Sequence, residues 1–262
     1  MAFAKKLKSW FTAKTENPNN DEIEKALLQK IQELERSTGS PSGHRFHVKR
    51  YVETFRLLPK QPPGELLDLG GAYGIFSDLL TDFTSHKLTL ADRYGDGDII
   101  CFDSERDIFP FQDNHFDIVL FTEVIEHFSV DPMHAISEIN RILKPGGKLL
   151  LSTPNICSWK SIHRALAGEQ PGLFVQYMRH GGTDRHNREY TANEIKQLVQ
   201  DAGFDATKLE AIDVYDHLPT AELISGWPQE LRGDTTFCLA TKISPTKKRM
   251  PNWLYWPNDP NS

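Results

Sequence analysis

A doubly wound α/β domain with a mostly parallel sheet is the fold this sequence predicts, on three observations. Short apolar runs, Leu66–Leu69, Lys87–Ala91, Ile99–Phe102, Phe116–Phe121 and Lys148–Ser152, alternate with amphipathic stretches from Glu65 onward. Such runs suit strands buried between two layers of helices. The first run leads directly into Gly70-Gly71-Ala72-Tyr73-Gly74 and then the apolar stretch Ile75–Leu80, reading as strand, small-residue turn and helix. Asp68, Asp92 and Asp103 lie at or near the ends of three successive strands, where open α/β sheets bind ligands.

The elements follow in order. Residues 1–20 form an amphipathic segment and a polar linker: Phe3, Leu7, Trp10 and Phe11 share a helical face, and Lys5, Lys6 and Lys8 lie elsewhere. That pattern fits peripheral contact with an anionic membrane surface or with a protein. Residues 21–64 read as two helices. Ile23, Leu27, Ile31 and Leu34 mark the first, Phe46, Val52, Phe55 and Leu58 the second, and Pro59–Gly64 breaks the run. The main domain spans 65–243. Within it, 156–187 interrupts the strand and helix rhythm with aromatic, basic and glycine residues and is expected to cap the site. A helix Thr191–Ala202 closed by Gly203 and strands near Leu209–Tyr215 and Thr236–Ile243 complete the domain. The tail 244–262 carries Trp253, Tyr255 and Trp256, too apolar for a solvated tail, and is expected to dock.

With 262 residues the chain can bury one good-sized core. A formal net charge of -6 gives no overall basic field, which disfavours nucleic acid as a partner. Cys101, Cys157 and Cys238 have no metal-like spacing and no disulfide framework. They suit a reducing compartment, so a cytoplasmic location is expected. No run approaches the roughly 18 apolar residues of a membrane span.

The glycine turn lets backbone approach a ligand while a helix N-terminus faces it. By itself that is a weak signal, shared with nicotinamide and flavin sites. Asp92, closing the second strand, can accept both hydrogen bonds of a ribose diol. Asp103, before Phe109-Pro110-Phe111, can hold an adenine amino group or initiate a turn.

Asp68–Gly74, Asp92, Asp103 with Phe109-Pro110-Phe111, Phe116–Val119, Glu123-Val124-Ile125-Glu126-His127 and Arg141–Gly147 together resemble the ordered motifs of class I S-adenosylmethionine-dependent methyltransferases. The resemblance covers about Leu66 to Ile243. It implies a Rossmann-like, seven-stranded sheet with an antiparallel last strand and S-adenosyl-L-methionine as cofactor. It further implies that Gly70 meets the methionine part, Asp92 the ribose and Asp103 the adenine, with Asp68, Gly71, Ala72, Gly74, Arg93, Ser104, Thr122 and Glu123 completing the cofactor set. Ala72 departs from the pattern, which usually has a second glycine there. A non-catalytic subunit with a cofactor fold is the competing class, and the intact turn and three acids count against it.

Methyl transfer to a hydroxyl requires alignment and removal of a proton. Glu123, Glu126 and His127 have spacing i, i+3, i+4, which a helix would place on one face. His186 offers a further polar group ahead of the post-cap helix. These four resemble the divalent-metal site of small-RNA 3′-terminal 2′-O-methyltransferases. The Glu-x-x-Glu-His part is also similar to ubiquinone-biosynthesis O-methyltransferases. That resemblance implies Mg²⁺ or Mn²⁺ on Glu123, Glu126, His127 and His186; without a metal, His127 or His186, beside Glu126, is the candidate catalytic base. Ser152-Thr153-Pro154-Asn155, followed by the cap, is similar to glycan and secondary-metabolite methyltransferases and favours a small-molecule or glycan hydroxyl as acceptor. An RNA-terminal 2′-O-methyltransferase is the alternative. Tyr177, Arg179, His180 and Arg185 of the cap can grip an acceptor or simply lie on the surface, and Tyr190 is expected to buttress the post-cap helix.

Overall fold

The computed structural model describes residues 19–71, 74–177, 179, 185–215 and 226–256. The amphipathic face at Phe3–Phe11, Ala72 of the turn and His180 of the cap lie outside the described residues.

Seven strands form one sheet: β1 (Glu65–Leu69), β2 (Lys87–Asp92), β3 (Ile100–Cys101), β4 (Phe116–Thr122), β5 (Leu143–Pro154), β6 (Phe204–Ile212) and β7 (Thr235–Lys242). Their order is β3-β2-β1-β4-β5-β7-β6, and β7 runs antiparallel to both neighbours. The order reverses at β1, so a crevice opens beyond the carboxyl ends of β1 and β4, where ligands bind in open α/β sheets.

Alternation along the strands feeds two cores. Leu66, Ile118, Leu120 and Leu150 face α1 (Asn20–Thr38), α2 (Val48–Leu57) and α3 (Ile75–Phe83). Leu67, Leu69, Val119, Phe121, Leu149 and Leu151 face α4 (Pro132–Ile142) and α6 (Ala192–Asp201). Helix α5 (Trp159–Leu166) lies inside the cap.

Boundaries depart from the sequence reading where local chemistry overrides periodicity. Ser42 accepts the His44 amide and starts a 3-10 turn, Gly43–His47, so α2 begins only at Val48 and Phe46 is 77% exposed instead of packed on a helix. Gly203, at φ +87°, ends α6 abruptly, and β6 starts at once with Phe204, five residues earlier than the apolar pattern indicates. In β5 the segment Lys144–Gly147 bulges: Leu143 pairs with Phe116, but pairing resumes only at Lys148 with Ile118.

The tail returns across the second core. Trp253 donates its indole N–H to Asp201 at 2.9 Å, Arg249 pairs with Asp131 at 2.9 Å, and the Tyr255 hydroxyl bonds both Asp131 and the Met133 amide. No helix among the described residues is long and apolar enough to cross a membrane.

Candidate functional site

A cavity of about 1260 Å³ opens at the carboxyl ends of β1 and β4, walled by α2, α5 and the cap. Typical small-ligand pockets measure about 300–1,000 Å³, so it is roomy for a single small ligand.

Its floor is the turn after β1. Gly70, at φ +92°, donates its amide to Ala91 O at 2.8 Å, and a Cβ there would stand 2.4 Å from Val124 Cγ2. A Cβ on Gly71 would stand 2.3 Å from Asp68 Oδ2. Both positions therefore exclude any side chain, which leaves bare backbone facing the cavity. Gly74 precedes α3 at φ +68°, and no side chain among the described residues caps that helix start. Asp68 is 2% exposed, with Ser77 Oγ 3.4 Å away. Burial pushes its carboxyl up to about 7; the Ser77 hydroxyl opposes the shift and the Asp92 charge adds to it.

Asp92, Arg93, Asp103 and Ser104 gather at the ends of β2 and β3, outside the cavity lining. Asp92 accepts the Tyr94 amide at 2.8 Å, and Arg93 reaches Asp103 at 3.4 Å. Asp103 also accepts the Glu105 amide at 3.0 Å, so it starts a turn just beyond the end of β3. Thr122 and Glu123 line the cavity at the end of β4.

The acidic and imidazole groups do not share a helical face as their spacing suggests. Glu123 has φ +57° and ends the strand, and only Ile125–His127 winds into a 3-10 turn. This reversal directs Glu123 to Arg50 at 3.0 Å and to Ser152 Oγ at 2.8 Å, away from the other three candidates. Glu126, His127 and His186 do converge, each offering a ligand atom within 4.8 Å of the others. Glu126 is fully buried; Oε2 accepts from Thr153 at 2.9 Å, while Oε1 has no partner and stands 4.0 Å from His127 Nε2. Burial, reinforced by the Glu123 charge, holds its carboxyl well above the usual range.

The hydrogen bonds around the two rings fix their tautomers. His127 Nδ1 lies 3.2 Å from Arg185 O, a carbonyl that can only accept, so that nitrogen carries a proton. His186 Nδ1 lies 2.8 Å from Glu189 Oε1, an oxygen that also accepts the Leu173 amide, so His186 likewise donates from Nδ1. In the neutral form of either ring Nε2 then holds the lone pair. The cap return segment clamps the turn, with Asn187 and Arg188 amides donating to Glu126 O at 2.8 and 3.1 Å.

Several functional neighbours escape the sequence reading. Arg50 and Tyr51 of α2, Tyr215 after β6, and Trp159 and Lys160 of α5 line the cavity. The hydroxyls of Tyr51 and Tyr215 pair with His44 and His47 Nδ1, each at 3.2 Å. Burial, with the Arg50 charge adding, pushes His47 down to about 4. Glu189, which orients His186, carries a local signal, standing three residues after it; the others depend on which elements face the cavity. In the cap, Tyr177 is 83% exposed beneath the Arg185 guanidinium, 4.4 Å from its ring centroid, and Arg179 is exposed. Tyr190 is 1% exposed.

Residues 44–209 match the family model of a methyltransferase domain. The ubiquinone/menaquinone biosynthesis C-methyltransferase of Shewanella sp. (strain ANA-3) is 34% identical over 191 residues, covering 62% of this chain and 73% of that one. The demethylmenaquinone methyltransferase of Listeria welshimeri is 25% identical over 206 residues, covering 68% of this chain and 86% of that one. The solved structure of a SAM-dependent methyltransferase from Archaeoglobus fulgidus superposes with a TM-score of 0.53 at 17% identity, covering 76% of this chain and 97% of that one, a likeness of fold alone.

Proposed function

The chain belongs to the methyltransferase domain family and is a S-adenosylmethionine-dependent methyltransferase, and from that premise we propose that it methylates a hydroxyl oxygen of a small molecule or glycan at the Glu126–His127–His186 cluster. One observation carries this reading: Glu126, whose buried Oε1 has no hydrogen-bond partner, and His127 and His186 each offer a potential ligand atom within 4.8 Å of the others, on the cavity wall. Such a group of acceptors suits a proton or a cation.

The bare backbone of Gly70 and Gly71, the uncapped start of α3 and the buried Asp68 fit the amino-acid end of the cofactor. Asp92 and Arg93 would hold its ribose, Asp103 and Ser104 its adenine, and Thr122 and Glu123 the wall between cofactor and acceptor. Bound S-adenosylmethionine supplies a methyl group on a sulfonium, open to in-line displacement. His127 or His186 receives the acceptor's one hydroxyl proton at Nε2, and Glu126, whose Oε1 stands 4.0 Å from His127 Nε2, is placed to stabilise the positive charge that results. The same three side chains would hold one divalent cation, with Mn²⁺ favoured over Mg²⁺ because two of the three ligands are imidazoles. A cation there would acidify a bound hydroxyl. Lys160 and Arg164 are already paired with Asp234 and Glu169, which favours a compact acceptor over a polyanion.

A second reading draws on the Shewanella relative, which is named as a C-methyltransferase. Deprotonating a phenol at the same cluster enriches the neighbouring ring carbon, so the machinery would serve C-methylation of a hydroxylated ring.

The test is calorimetric titration with S-adenosylhomocysteine, followed by incubation of ¹³C-methyl-labelled cofactor with phenolic and saccharide acceptors. Micromolar binding lost in Asp92→Ala, and product whose ¹³C-methyl resonance is that of a methyl ether, are expected. A carbon-bound methyl selects the second reading, and no binding by folded protein overturns both.

A further inference from the structure

The cap holds one residue against its own backbone preference. Phe174 has φ +50°, and among the described residues it is the one aromatic with positive φ. A bulky side chain adopts left-handed backbone only where its surroundings hold it there. The holding contacts lie on either side of it. The Leu173 amide donates to Glu189 Oε1 at 2.5 Å, and the Phe174 carbonyl accepts the His186 amide at 3.1 Å. His186 Nδ1 meets the same Glu189 oxygen at 2.8 Å. Two passes of the cap, 172–174 and 186–189, are thereby zipped together, with the strained residue at the crossing.

The strain does not bury the ring. Phe174 is 68% exposed, yet it lines the cavity, and its ring centroid stands 5.8 Å from that of His186 at an interplanar angle of 37°. Core packing therefore does not account for an aromatic here, and glycine would take this backbone without strain. Phe46, in the 3-10 turn Gly43–His47, lines the same cavity and is also left in solvent. Exposed rings in a concave site suit a flat ligand that covers their faces. A saccharide carries a hydroxyl on nearly every carbon and needs partners for them once desolvated. Cap charges are engaged with the protein itself: Arg164 with Glu169, Lys160 with Asp234, and Glu189 with the zipper.

We propose that Phe174 determines acceptor specificity: its strained backbone presents the ring as a platform on which a planar aromatic acceptor stacks, with the acceptor's hydroxyl directed to His186. The inference rests on the reading of the Glu126–His127–His186 cluster as the acceptor end of the site, and it narrows that acceptor to a hydroxylated aromatic ring.

The test is calorimetric binding of 2-naphthol, with methyl β-glucopyranoside as the saccharide probe, to protein saturated with S-adenosylhomocysteine, together with thermal melts of each variant. The wild type is expected to bind 2-naphthol at least about tenfold more tightly than the glucoside, the worth of a ring contact with its buried area. Phe174→Gly should weaken 2-naphthol binding about 10- to 30-fold and leave S-adenosylhomocysteine affinity unchanged. Its Tm should hold or rise, because the strain is relieved. Phe174→Tyr restores the ring and should bind 2-naphthol within about threefold of the wild type. A Tm that falls in Phe174→Gly along with the affinity would make Phe174 a structural residue and overturn the proposal. So would 2-naphthol affinity retained in Phe174→Gly, or lost equally in Phe174→Tyr. A glucoside bound as tightly as 2-naphthol, or no 2-naphthol bound by wild type that binds S-adenosylhomocysteine, overturns the proposal and leaves the cofactor reading standing. A folded wild type that does not bind S-adenosylhomocysteine overturns both.

Discussion

His186 Nδ1 and Glu189 Oε1 meet at 2.8 Å with both side chains nearly sealed from solvent, so one carboxylate decides which nitrogen of the ring is free to act. Glu189→Gln is expected to weaken Mn²⁺ binding about 10- to 100-fold, the usual effect of removing a partner behind a ligand. S-adenosylhomocysteine affinity should stay within experimental scatter. Calorimetric titration of each ligand checks both halves, and unchanged Mn²⁺ affinity would leave Glu189 a purely structural residue.

The ligand set is expected to be three residues, not four. Electron paramagnetic resonance of Mn²⁺ titrations should give one site in the wild type, lost in Glu126→Gln, His127→Ala and His186→Ala. Glu123→Gln should retain it, because Glu123 is turned to Arg50 and Ser152. A signal lost in Glu123→Gln would restore the four-residue site.

Asp68 links stability to pH. Its folded pKa of about 7 lies above the ordinary 3.8, so its contribution is full below pH 3.8 and is lost as pH rises through 7. Three pH units correspond to about 4 kcal/mol. Without cofactor, denaturant unfolding of Asp68→Asn should match the wild type near pH 4 and be more stable by up to about that amount near pH 8. Parallel stability curves for the two proteins would sink this assignment.

Gly70 and Gly74 both have left-handed backbone, but Gly70 is crowded: its Cβ would meet Val124 at 2.4 Å, whereas no described residue lies within 4 Å at Gly74. Gly74→Ala is therefore expected to lose about 1 kcal/mol from backbone strain alone, and Gly70→Ala about 2–4 kcal/mol. Thermal melts rank the two, and equal losses would contradict the crowding.

The sheet was readable because β1, β4 and β5 are buried on both faces and so show as short apolar runs. The antiparallel last strand came with the family resemblance. What periodicity misplaced lies at sites of special backbone. Glu123 has positive φ, so the i, i+3, i+4 spacing that predicts one helical face describes a strand end and a single 3-10 turn instead. Phe46 has helical spacing from Val52 but falls in the turn that Ser42 caps. Arg50 was invisible as a site residue because α2 presents two faces, and the sequence does not say which one meets the cavity. His186 lies well beyond the end of β5 at Pro154 and enters only through the family resemblance, and the Glu189 bond that orients it is a tertiary fact.

Asn155 and Tyr190 pair as an isolated bridge, with the Ile156 amide donating to Tyr190 O at 3.2 Å, so the chain leaves β5 and re-enters the domain at one point. Both residues are almost fully buried, and Asn155 is further bound to the Glu230 and Gly233 carbonyls. An insertion whose two ends share a seam can lengthen, shorten or be exchanged without altering the strands that flank it. A graft cut at 155 and 190 that keeps His186 and Glu189 is therefore expected to change what is methylated and to leave binding of the methyl source untouched.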